Sequence, residues 1–246
     1  MSKQKIALVT FGNSRNYTTS LQRLKTEAQD VGWFDHIFAY NENDIERDFW
    51  NRYGYYIMNV PRGFGYWIWK PQIILQALTQ LQDGDLLWYL DCGCSINPKG
   101  EARFKEYNQM VNESTTENLG FSLEIHMEKT WTKGDLFQLY PTVDKNTRQM
   151  ISGIFCIKKS DKTVAMIKEW ADVMLSSPSF NDDSPSKTPN DPSFREHRHD
   201  QSSFSLIRKT KGCVDLIDET WPGENGETWE HEWIMSKPFH AKRIKG

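Results

Sequence analysis

The run "GDLLWYLDCGCSINP", Gly84 to Pro98, constrains this chain more than any other stretch. Leu86 to Leu90 read as a strand that hides its side chains, and the run stops abruptly at Asp91. Burying an unpaired carboxylate costs on the order of several kcal/mol, so Asp91 must face a cleft, be hydrogen-bonded or hold a metal. A plainer role is to cap the next turn. Gly93, two residues on, lets a bulky group approach the backbone where a side chain would block it.

The flanking pattern says what kind of sheet holds this strand. "KIALVTFG" is a first strand closed by Gly12, and "TTSLQRLKTEAQDVG" a helix with Leu21, Leu24 and Ala28 at helical spacing and Gly32 as its stop. "FDHIFAYNENDI" reads as a second strand, and "YGYYIMNVPRG" as a third, ended by Pro61 and Gly63. "KPQIILQALTQLQDGD" is an amphipathic helix with Pro71 near its start and Gly84 beyond its end. The order β-α-β-β-α-β predicts an α/β fold with a mostly parallel, mixed central sheet flanked by helices. Ligands of such sheets sit at the carboxyl ends of the strands, where Asp91 lies.

Downstream, "LGFSLEI" and "ISGIFCIKK" are further strands, and "KTVAMIKEWADVML" is a helix with Val164, Ile167, Trp170 and Val173 on one stripe. Residues 176–194 are rich in Ser, Pro, Asn and Asp and read as a long mobile surface loop. The polar tail beyond it is too short for its own core, which makes 1–246 a single domain rather than two joined by a linker.

Charge and composition remove several classes. A net charge of −3 gives no chain-wide attraction to nucleic acid or anionic membrane. The N-terminal stretch lacks the apolar core of a signal peptide, and no window reaches the length of a spanning helix. The expectation is a cytoplasmic protein without a transmembrane segment, able to work peripherally at a membrane. Four cysteines make no disulfide framework at this length. Cys92 and Cys94 share a strand face but have no CxxC or histidine partner, so they read as packed thiols and not a zinc site. The ten tryptophans, nine tyrosines and thirteen phenylalanines supply core, or flat surfaces on which sugars and bases stack.

Two further stretches carry polar groups suited to chemistry. In "RGFGYWIWKPQ", aromatics crowd ahead of a helix start that Arg62 and Lys70 would make anion-binding; the alternative is an aromatic plug with Lys70 solvated. In "REHRHDQSSFSLI", Asp200 and Gln201 open a helix, where an aspartate is a good cap. His197 and His199 lack a compact third ligand for a zinc hydrolase, and Ser202 and Ser203 lack a nucleophile elbow. Asn13 and Arg15 follow the first strand. Glu128, Lys129, Trp131 and Lys133 either meet an acceptor or form a solvated face, and His240 and Lys242 in the tail either cover a diphosphate or are surface charge.

Taken in order, "GYWIWKP", "GDLLWYLDCGCSIN", "SGIFCIKKSDKTVAMIKEW" and "HRHDQSSFSLI" resemble the GT-A class of sugar-nucleotide-dependent glycosyltransferases. The likeness is to bacterial and large-virus enzymes that decorate surface polysaccharide or glycoprotein. It implies a nucleotide-sugar-binding half, 1–97, and an acceptor-binding half, 98–246. It further implies a UDP- or GDP-linked donor and a glycan or glycoconjugate acceptor. Carried over, Thr10, Phe11, Asn13, Arg15, Arg62, Trp67, Lys70, Asp91, Cys92 and Gly93 would meet the donor. Trp131, Lys133 and His199 would meet the acceptor, and Asp200 and Gln201 would be catalytic. Asp91, with His240, would hold Mn2+ or Mg2+. "YLDCG" stands in place of the acidic DxD motif of that class, with Gly93 at the second acidic position, so metal dependence is open and Lys70 or Arg62 would be the alternative carriers of diphosphate charge. The Asp-Gln pair implies retention of configuration, whereas Asp200 acting as a base would imply inversion. Two other classes compete: a non-catalytic carbohydrate-binding protein, and a metal-dependent phosphohydrolase or nucleotidyltransferase built on Asp91 and the His197, His199, Asp200 group.

Overall fold

Apolar strands alternating with one-sided helices assemble here into a mixed sheet covered on both faces. The structure, a computed structural model, describes residues 3–223 and 228–245. In chain order the first half holds β1 (Ile6–Phe11), α1 (Thr18–Val31), β2 (His36–Tyr40), α2 (Arg47–Asn59), α3 (Gly63–Tyr66), α4 (Trp69–Thr79), β3 (Leu86–Leu90) and β4 (Ser95–Ile96). The second holds α5 (Glu101–Glu113), β5 (Asn118–Met127), α6 (Glu128–Trp131), α7 (Gly134–Leu139), β6 (Arg148–Met150), β7 (Ile154–Lys158), α8 (Asp161–Ser176), α9 (His199–Lys211), β8 (Val214–Ile217), α10 (Glu232–Met235) and β9 (Phe239–His240).

The sheet runs β2-β1-β3-β7-β5-β6, with β8 beside β5. β1 is parallel to β2 and β3, and β7 runs antiparallel to both β3 and β5. The fold is therefore the α/β, helix-flanked sheet expected. Strand alternation splits β3 between two cores. Leu87 and Tyr89 pack with α4, α8 and α9 through Ile73, Ile74, Ile167, Trp170 and Phe204. Leu86, Trp88 and Leu90 pack with α1 and α5 through Leu24, Ala28, Phe104 and Tyr107. Asp91 continues the Leu87–Tyr89 side. No helix among the described residues is long and apolar enough to cross a membrane.

The structure corrects two readings. The third strand is not a strand: residues 53–59 complete helix α2, and Phe49, Tyr53 and Ile57 recur at helical spacing when the segment is read from Arg47. On α8 the buried stripe is rotated, with Met166, Ile167, Trp170, Ala171 and Met174 inside and Val164 and Val173 only half-buried. Residues 176–194, expected as a long surface loop, contain only a short turn at Pro178–Phe180 and make polar contacts with α7. The Asp135 carboxylate accepts from the Lys187 and Thr188 amides, and the Gly134 amide donates to Asn190 Oδ1.

Between α2 and α4 the backbone makes a left-handed turn: Gly63, Phe64, Gly65, Tyr66 and Trp67 have φ of 59°, 51°, 82°, 50° and 60°. Each non-glycine residue held there costs about 1–2 kcal/mol. The turn is kept by packing. Phe64 lies 6.1 Å from Phe11, on which Trp69 stacks at 4.0 Å, and the Trp67 ring fills the space a Cβ on Gly63 would need. A Cβ on Gly65 would come within 2.9 Å of the Ile57 Cα. Gly65→Ala should therefore cost about 2–4 kcal/mol in urea unfolding, from strain plus overpacking. Gly84→Ala, at φ 92° with open space around it, should cost only about 1 kcal/mol.

Candidate active site

Lys70 and Asp91, chosen separately from the sequence, meet Asp200 in one cluster. The left-handed turn delivers Lys70 on the first turn of α4, β3 ends at Asp91, and α9 begins at His199. Lys70 Nζ lies 2.6 Å from Asp200 Oδ2 and 3.3 Å from Asp91 Oδ1. Ser152 Oγ donates to Asp200 Oδ2 at 2.7 Å, and the Tyr89 hydroxyl donates to Asp91 Oδ1 at 2.6 Å. The lysine side chain is 1% exposed, Asp200 7% and Asp91 44%, so the cluster opens to solvent through Asp91. Burial favours the neutral form of Lys70, but Asp200 and then Asp91 outweigh it and hold its pKa above the ordinary lysine value. Burial first, then Asp91, keeps the Tyr89 phenol well above its usual range. Tyr89 was missed in the sequence although strand alternation puts residues 89 and 91 on one side. Ser152 and Gly153 were also missed: a Cβ at 153 would sit 2.7 Å from Asp91 Oδ2.

The donor-side candidates gather at the carboxyl ends of β1 and β3. Val9 pairs with Tyr89, so two residues on Phe11 is level with Asp91. Thr10 and Asn13 are buried, Thr10 Oγ1 has no hydrogen-bond partner among the described residues, and Arg15 is exposed. Cys92 is packed, its thiol pushed by burial up to about 12. The carbonyls of Cys92 and Cys94 both accept from Arg23, a contact no local pattern announces.

Several expected roles change. Asp200 caps nothing: the residue before α9 is Arg198, and the Asp200 carboxylate turns to Lys70 and Ser152 instead. Lys70 is not solvated, and Arg62, expected to await an anion, pairs with Asp183 and Glu196. Gln201 Nε2 donates to Gln149 Oε1 at 2.6 Å, outside the Lys70 cluster. Lys133 is buried, its Nζ donating to the Ser179 carbonyl at 3.1 Å. His199 donates through Nδ1 to the Asn181 carbonyl and stacks on Trp67, while its Nε2 lies 3.6 Å from Asp183. Both residues therefore clasp the 176–194 segment. Trp131 is half-buried beneath the Arg198 guanidinium. A cleft of about 250 Å³ under that segment is lined by Lys133, Asp183, Asn190, Phe194 and Arg195. A larger groove, about 660 Å³ and bounded by α2, α4 and α8, holds none of the candidate residues.

The donor set does not fit a divalent ion. Asp91 Oδ1 already takes the Tyr89 hydroxyl and Lys70, and Gly93 offers no second carboxylate. His240 is buried in β9, with Nε2 donating to the Ile234 carbonyl at 2.9 Å. Among the described residues, no group of three or more His, Cys, Asp or Glu side chains is arranged to hold a metal.

The fold has solved counterparts. A glycosyltransferase involved in glycosylation of the major capsid of PBCV-1 superposes with a TM-score of 0.50 at 11% identity, over 96% of this chain and 93% of that one. Mouse xyloside xylosyltransferase 1 gives 0.47 at 11% identity, over 88% and 86%, and an active-site mutant of LgtC gives 0.44 at 8%, over 97% and 84%. No protein-family model matches the sequence, and no curated protein matches it either. At this identity the first superposition shows the fold, an α/β architecture of the GT-A type.

Lys70→Met should destabilise the protein by about 3–5 kcal/mol near neutral pH, because Asp200 is left as an uncompensated buried charge. The double substitution Lys70→Met with Asp200→Leu should recover much of that loss in urea melts. A second prediction concerns acid. Burial, then the neighbouring His199, pushes His197 down to about 3, so it stays neutral in the fold while the unfolded chain takes up a proton near 6.5. Stability should therefore fall as pH drops from about 6.5 toward 3, by up to about 1.4 kcal/mol per pH unit for this residue. Denaturant melts of His197→Gln at pH 7.5 and 5 should show a shallower slope than wild type.

Proposed function

We propose that the chain is a glycosyltransferase that moves a sugar from a UDP- or GDP-linked donor to a glycan or glycoconjugate acceptor, with retention of configuration. The observation that carries this is the buried Lys70 joining Asp91 and Asp200 at the carboxyl end of the parallel strands. There, ligands of α/β sheets bind in the crevice beyond the strand ends. Asp91 is the exposed member and, with Oδ1 occupied, has Oδ2 left to accept from a donor hydroxyl. Gly153 keeps the space beside that oxygen free of a side chain.

Sugar transfer builds positive charge at the anomeric carbon and negative charge on the leaving diphosphate, so fixed charges on both sides lower the barrier. Asp200 is a poor base for an acceptor hydroxyl, since it is buried and its Oδ2 already takes two donors. That favours a positioning role over an inverting one. The phosphohydrolase alternative loses His197 as a ligand, because its Nε2 donates to the Phe180 carbonyl and its Nδ1 accepts from the Lys133 amide.

A thermal-shift screen of nucleotide sugars, followed by donor hydrolysis without acceptor, tests the reading. A UDP- or GDP-sugar should raise Tm and be hydrolysed slowly. Asp91→Asn should lower that turnover by about a hundredfold or more with the melt intact. Absence of any nucleotide-sugar binding or turnover would sink the proposal.

A further inference from the structure

We propose that the donor diphosphate is held by Arg198 and Arg243, arginines of this chain standing where a divalent cation would otherwise serve; the proposal rests on the transferase reading above. The cations named from the sequence are already committed. Lys70 faces two carboxylates, so its cluster carries net negative charge, and Arg62 is shared between Asp183 and Glu196. A diphosphate arriving beside Asp91 therefore needs positive charge from elsewhere.

Arg198 supplies it from one side. It immediately precedes α9, two residues before Asp200, and its guanidinium lies 4.1 Å from the Trp131 ring centroid. Its Nε is buried without a hydrogen-bond partner, and the side chain forms no ion pair among the described residues. Buried donors are nearly always satisfied, so this one is poised for a ligand. The thirteen-residue helix behind it adds the favourable end of its dipole.

Arg243 supplies it from the other side. The tail crosses the end of β3, with the Ile244 amide donating to the Gly93 carbonyl at 2.9 Å. A Cβ on Gly93 would come within 3.2 Å of the Arg243 Cα, so this glycine seats the tail. Arg243 is exposed and adopts a left-handed backbone, φ 54°. It too forms no ion pair among the described residues. Burial lowers the proton affinity of Arg198, Glu196 partly offsets this, and Arg243 and Arg62 lower it further. The Arg198 and Arg243 charges are therefore close enough to repel one another. Guanidinium forks match phosphate oxygens two at a time, which a pair of arginines exploits without a metal. Gly93, the departure from the acidic motif, becomes intelligible: it removes a metal ligand and makes room for the strand of tail that carries Arg243.

The test is calorimetric titration of UDP, GDP and inorganic pyrophosphate into the full chain, in EDTA and in Mn2+. The preferred nucleoside diphosphate should bind in EDTA with a Kd within about threefold of its Mn2+ value, and pyrophosphate should bind in EDTA as well. Arg198→Ala and Arg243→Ala should each weaken binding by about tenfold or more, and Arg198→Lys and Arg243→Lys by less, with unchanged melting curves. Binding that vanishes in EDTA and returns with Mn2+ overturns this inference and leaves the transferase reading standing. So does wild-type affinity in both alanine variants. If pyrophosphate binds in EDTA but no nucleotide sugar binds or turns over, the arginine site survives and the transferase reading fails.

Discussion

A buried lysine that must remain charged sets the geometry of this protein. Lys70 lies on a helix whose other face is core, and its side chain is almost wholly buried. Low-dielectric surroundings would discharge it, so the fold has to bring anions to it. It brings two, from the end of β3 and the start of α9, and a serine from just before β7. Four segments distant in sequence are thereby held at hydrogen-bond distances. The left-handed turn at 63–67 belongs to the same constraint, since it brings the chain from α2 into the α4 register that points residue 70 inward. Packing of Phe64, Trp67 and Trp69 outweighs its backbone strain.

The same logic explains why charges near the crevice differ in availability. Arg62, Lys133 and Lys70 are each committed to partners within the fold, and buried His197 and His199 hold the 176–194 segment through its carbonyls. Arg198 and Arg243 differ in that the fold places them against a ring and a glycine respectively, and neither forms an ion pair among the described residues. On the reading proposed above, those two side chains are where an anion finds uncommitted charge.

Much of the fold was legible in the chain. β1, α1 with its Gly32 stop at φ 65°, β2 and β3 followed from apolar runs and glycine punctuation, because those signals are local. The segment after β2 was misread because its apolar density at 55–60 satisfies a strand window, and the helical period emerges only when Phe49 is included. On α8 the stripe was found but set one residue off, since Met166 and Met174 compete with Val164 and Val173 on hydrophobicity alone. The site was legible at Asp91, where a carboxylate closes a buried run, and at the stretches holding Lys70 and Asp200. Their mutual distance was not, and neither was the burial that turns Lys133 and His199 into clasps.

What the sequence determined by itself was the class of fold and the position of its crevice. Hydrophobic periodicity and turn residues act over a few positions and can be read in one dimension. What tertiary structure decided was which charges are spent and which are free. That depends on distant residues, such as Lys70 and Asp200, 130 positions apart, coming within 2.6 Å, and on how deeply each is buried. Pairing and desolvation are properties of the packed chain, as is the passage of the tail across Gly93.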